Sequence, residues 1–105
     1  VTKEQENDIM QRALFIYGIH AQETLLIEEC AELIKAVCKH WRWHEKKALE
    51  LKAYEDMIEE IEDVRIMLDQ IILSYKDFKF ASEIRESKLN RLLDRVTASE
   101  KGSIK

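Results

Sequence analysis

Two acidic runs, Glu28-Glu29-Cys30-Ala31-Glu32 and Glu59-Glu60-Ile61-Glu62-Asp63, each carry carboxylates three residues apart. In a helix, residues at i and i+3 stand one turn apart on the same side. Two facing helices of this kind can therefore aim four acids, Glu29, Glu32, Glu60 and Asp63, into one space. The surrounding residues set the direction. At about 100° per residue, Met57, Ile61, Val64, Met67, Leu68, Ile71 and Ile72 share one arc. Glu60 falls inside that arc, between the directions of Met67 and Ile71, and Asp63 lies at its edge. Glu55, Glu62 and Asp69 point the opposite way, where solvated charge belongs. In the first run, Leu26, Cys30, Leu33 and Val37 mark the apolar arc, and Glu29 borders it with Leu25, Glu32 and Ala36 close by.

Carboxylates beside a core must be paired, protonated or bound to a cation, because an unpaired buried charge costs several kcal/mol. Carboxylate clusters suit Mg²⁺ or Mn²⁺, hard cations that share their coordination with water and substrate phosphates. A di-iron bundle calls for Glu-x-x-His pairs, and no histidine here stands three residues after a glutamate. The competing reading is a helical interaction module whose acids form salt bridges with Lys and Arg.

In these segments, Ile27-Glu28-Glu29-Cys30-Ala31-Glu32-Leu33 and Ile58-Glu59-Glu60-Ile61-Glu62-Asp63-Val64, the chain resembles the MazG-like all-α nucleoside triphosphate pyrophosphohydrolases. Their pattern is Glu-Glu-x-x-Glu on one helix and Glu-x-x-Asp on the next. The likeness extends through Tyr17-Gly18-Ile19-His20-Ala21-Gln22 and Lys88-Leu89-Asn90-Arg91-Leu92, so it covers most of the chain. It implies that Glu29, Glu32, Glu60 and Asp63 bind Mg²⁺, with Mn²⁺ as the substitute. It also implies cleavage of a nucleoside triphosphate between the α- and β-phosphates, giving a monophosphate and pyrophosphate. Glu28 and Glu29 are the candidate catalytic acids, Glu28 acting through a water or a second metal. The related dimeric dUTPases share the ligand scheme and often carry tryptophans after the first acidic helix, as Trp41-Arg42-Trp43 does here.

A triphosphate also needs cations from the protein. Lys88, Arg91 and Arg95 fall at i, i+3 and i+7, a basic stripe that forms a candidate phosphate clamp or else a solvated face. Gln22 projects close to Glu29, one heptad earlier, and is a candidate contact to base or ribose. Trp41 and Trp43 offer π-faces to a base but suit packing under a neighbouring helix better. His40 and His44 stand at i, i+4 without an evident third metal ligand and read as a surface pair.

The elements that position these residues follow from composition. The chain has 105 residues, no proline and two glycines, Gly18 and Gly102, and 46% of it is apolar. Leu, Ile, Glu, Lys and Ala fill the stretches between, which favours one all-α domain. Periodicity predicts helices over about 3–17, 21–40, 55–75 and 81–98, with a connector containing some helix over 41–54 and a flexible tail from about 99. Four helices with short links make an antiparallel four-helix bundle. Apolar residues outside the arcs, including Leu14, Ile66, Leu73 and Phe78, point to further burial in a homodimer or homotetramer, and the resemblance implies the same. Seventeen basic against twenty-one acidic residues, a net charge of -4, exclude an overall attraction to nucleic acid or an anionic membrane. Cys30 and Cys38, eight residues apart on one helix and so about 12 Å apart, are expected as buried thiols of a reducing compartment. No apolar run is long enough for a bilayer, and the acidic start is unlike a signal peptide, so a cytoplasmic location is expected.

Overall fold

The protein is all-α, with four helices and no strand among the described residues, which in this computed structural model are 1–43 and 47–103. The helices are α1 (Lys3–Tyr17), α2 (Ile19–Arg42), α3 (Lys47–Tyr75) and α4 (Phe78–Ser103). No described helix is long and apolar enough to cross a membrane. Two compact units are present, Val1–Tyr75 with the first three helices and Lys76–Lys105 with the fourth.

Local signals account for the start of the chain. Thr2 closes a capping box on α1: its hydroxyl accepts from the Gln5 amide at 3.1 Å, and the Gln5 side chain accepts from the Thr2 amide at 2.7 Å. Gly18 alone then separates α1 from α2, at φ +86° and ψ 157°. A side chain is strained in that region, so glycine is what permits a link of one residue.

The polar run after Trp41 conceals how far the helices reach. Trp41 and Arg42 complete α2, while Leu49 to Tyr54 belong to α3, which starts well before the expected Glu55. Nothing in this stretch breaks a helix, since it holds neither proline nor glycine. At its far end α4 runs on to Ser103, past the expected boundary near Ala98.

In the first unit α2 and α3 run antiparallel. Gln22 near the start of α2 meets Gln70 near the end of α3, and His40 near the end of α2 meets Tyr54 near the start of α3. Among the described residues the buried apolar ones, Ala53, Val64, Met67 and Leu73, all lie on α3, so this helix carries the core. Leu73 is thus part of the interior, whereas Leu68 and Ile72, expected there, are exposed. The larger correction concerns α2. Its fully buried residue is Gln22; Val37 and Cys38 are exposed and Cys30 is half-buried, so the helix is rotated from the expected arc. Rotation is permitted because α2 is apolar on two sides. Gln22 and Gln70 supply each other's partner in the interior: the Gln22 amide nitrogen donates to Gln70 Oε1 at 2.7 Å.

Gly18→Ala is expected to lower stability by about 1–3 kcal/mol, the cost of a side chain in a region reserved for glycine. No atom lies within 4 Å of the added Cβ, so backbone strain alone sets the loss. Gln70→Ala is expected to cost about 1–3 kcal/mol by stranding the Gln22 amide. Chemical denaturation measures both, and the Gln22→Leu, Gln70→Leu double variant should recover most of the second loss.

Candidate metal centre

The antiparallel register carries the polar seam one step further. One heptad along α2 from Gln22 lies Glu29, and one heptad back along α3 from Gln70 lies Asp63. These two acids and Glu60 each place a carboxylate oxygen within 4.8 Å of the others. Glu29 and Glu60 are half-buried and Asp63 is exposed, so the trio opens to solvent on the Asp63 side.

Glu60 is the least comfortable member. Its Oε2 is buried and has no hydrogen-bond partner. Among the described residues no ion pair involves Glu29, Glu60 or Asp63, while Glu62, pointing away, pairs with Arg65 at 2.7 Å. Desolvation raises the Glu60 pKa above the ordinary glutamate value, and the charges of Asp63, Glu29, Glu32 and Glu59 push it the same way. A cation would relieve both causes. The donors are hard oxygens of the kind that Mg²⁺ takes, and their carboxylates lie close enough together to share one ion.

The other expected site residues are placed differently. Glu32 is exposed and leans toward Lys35, 4.0 Å from its Nζ, rather than joining the trio, although its charge still reaches Glu60. Glu28 is exposed on α2. Gln22 is buried with its amide nitrogen committed to Gln70. Lys88, Arg91 and Arg95 are exposed on α4, in the second unit. His40 packs against Tyr54 with ring centroids 6.1 Å apart, and His44 lies outside the described residues.

One set of residues escaped the sequence reading. Lys35, Lys39 and Arg42 line an open groove of about 520 Å³ between α2 and α3, together with Glu32, Asp56, Glu59 and Glu60. Their spacing, i, i+4 and i+7 directly after Glu32, is the same kind of signal that singled out the stripe on α4. Comparison with known protein families, curated proteins and solved structures finds no match to the chain.

The electrostatics of Glu60 generate a pH dependence. Its pKa in the fold lies above the unfolded value, so between the two the folded state holds more protons and stability falls as pH rises. Glu60→Gln is expected to flatten that decline and to raise the melting temperature near neutral pH in the absence of divalent cations. Thermal melts across the acid-to-neutral range check this; an unchanged slope in the variant would remove Glu60 as its source.

Proposed function

We propose that the protein is a Mg²⁺-dependent nucleoside triphosphate pyrophosphohydrolase, cleaving its substrate to a monophosphate and pyrophosphate in the cytoplasm. The observation that supports it is the convergence of Glu29, Glu60 and Asp63 from two helices with no basic partner among the described residues. An interaction module held by salt bridges predicts the reverse for these acids; only Glu32 has a neighbouring lysine, at 4.0 Å between exposed side chains. The resemblance in the two acidic motifs supplies the reaction class.

In this reading Glu29, Glu60 and Asp63 each give one oxygen to the ion, and Glu32 joins by turning from Lys35. Bound Mg²⁺ supplies charge neutralisation for the triphosphate and a water of lowered pKa. Glu28, exposed beside Glu29, or a non-ligating oxygen of Glu29 accepts the proton of the attacking water. Water and substrate phosphates would take the positions that these carboxylates leave open. Without a cation the acids would repel such a substrate.

A homodimer belongs to the same proposal. Ile27, Ile34 and Trp41 recur at heptad spacing on the side of α2 away from Glu29 and are 71%, 64% and 75% exposed. A second copy of the seam would cover them in coiled-coil fashion.

Incubation with a panel of nucleoside triphosphates and Mg²⁺ should release pyrophosphate from at least one. Glu60→Ala should lower that turnover by about a hundredfold or more, the scale of a lost electrostatic contact to a transition state. Free Mg²⁺ at a hundred times its dissociation constant should stabilise the wild type by about 2.7 kcal/mol. No pyrophosphate from any nucleotide, with no metal effect on melting, would sink the proposal. Sedimentation velocity checks the assembly: Ile34→Glu should shift the species toward monomer.

A further inference from the structure

Net charge and the acidic trio make unpaired cations beside the site conspicuous. Lys35, Lys39 and Arg42 lie within about 60° of one another around α2 at about 100° per residue, next to the direction of Glu32. All three line the groove that Glu32 and Glu60 also line. Lys35 has a carboxylate neighbour only at 4.0 Å, and among the described residues neither Lys39 nor Arg42 has an ion-pair partner. On the α3 wall Asp56 is already neutralised, since Lys52 Nζ donates to its Oδ1 at 2.6 Å. Among the described residues Glu59 and Glu60 on the same wall keep free carboxylates, whereas the α2 wall, with three cations against Glu32, is positive.

A helix-dipole role explains part of this placement. Lys39 and Arg42 occupy the last turn of α2, where cations complement the negative end of the helix. It does not account for Lys35, one turn earlier, or for the alignment of all three along the groove. Lys35 to Arg42 spans about 10 Å of helix, too long for one phosphate and suited to successive ones. Arg offers paired donors to phosphate oxygens, and Lys a mobile point charge.

We propose that the groove between α2 and α3 is an oligophosphate-binding subsite, in which Lys35, Lys39 and Arg42 hold the phosphates of a ligand whose other end reaches the carboxylates of Glu29, Glu60 and Asp63. The inference rests on the pyrophosphohydrolase reading for the identity of the substrate, and it assigns the phosphate clamp to α2 instead of α4.

The test uses the full chain and two probes, Mn²⁺ alone followed by electron paramagnetic resonance and magnesium tripolyphosphate followed by calorimetry. Lys39→Ala and Arg42→Ala should each weaken tripolyphosphate binding about tenfold, the scale of a lost charge-assisted contact, and the double variant should weaken it further. Arg42→Lys should retain most of the affinity, and Mn²⁺ binding should be unchanged in all of them. Variants that melt earlier yet bind tripolyphosphate as the wild type does would reduce the cations to dipole partners and overturn the inference. A wild type that binds Mn²⁺ but not tripolyphosphate would overturn it too, leaving the metal reading intact. Binding of tripolyphosphate that depends on Lys39 and Arg42 in a protein that takes no Mn²⁺ would support the groove and defeat the metal reading.

Discussion

Like charges held together between two packed helices are the constraint on which the rest of the molecule turns. Glu29, Glu60 and Asp63 converge although each repels the others, and Glu60 does so with one oxygen cut off from water and from any donor. An uncompensated arrangement of this kind weakens a fold. Other parts of the seam must therefore hold α2 against α3, and α3 supplies them with its buried Ala53, Val64, Met67 and Leu73. The buried Gln22–Gln70 pair adds register, because a slip that separated them would leave the Gln22 amide nitrogen without its acceptor in the interior. One heptad away, that same register brings Glu29 to Asp63.

Much of this was legible in the residues. The start of α1 at Lys3, the break at Gly18 and the end of α3 at Tyr75 fall where periodicity and glycine placed them. The convergence of Glu29 with Glu60 and Asp63 was legible because a Glu inside an apolar arc has few solvated places to go. The rotation of α2 was not. Ile27, Ile34 and Trp41 give this helix a second apolar side, and periodicity alone cannot say which side meets α3. The burial of Gln22 was not legible for a related reason: its partner Gln70 lies forty-eight residues away.

The start of α3 was illegible in a different sense. Around Trp43, Arg42 and the run His44 to Lys47 are polar, so the stretch carries no period, and α3 starts before the expected apolar pattern does. The cations of the groove were hidden in the same way. Lys35, Lys39 and Arg42 look in sequence like the solvated face of any charged helix; the cavity beside Glu32 and Glu60 is what distinguishes them. The stripe on α4 has a similar composition and a similar helical spacing, and sequence had no means of choosing between the two.

Acids and cations in one groove also have a thermodynamic consequence. For an oligophosphate, the carboxylates alone are a repulsive wall beside an attractive one; a divalent ion at the trio would cancel most of the first charge while leaving the second in place. Metal and anion are then coupled, and by linkage each must raise the affinity of the other by the same factor. Under the proposed reading the coupling would have a structural origin, since Glu32 contributes to the electrostatics of Glu60 and also leans toward Lys35. If Glu32 turns toward the ion it frees Lys35 for a phosphate, and if it remains with Lys35 both partners are withheld. A single side chain so placed would make occupation of the two halves of the groove cooperative without requiring any movement of the helices.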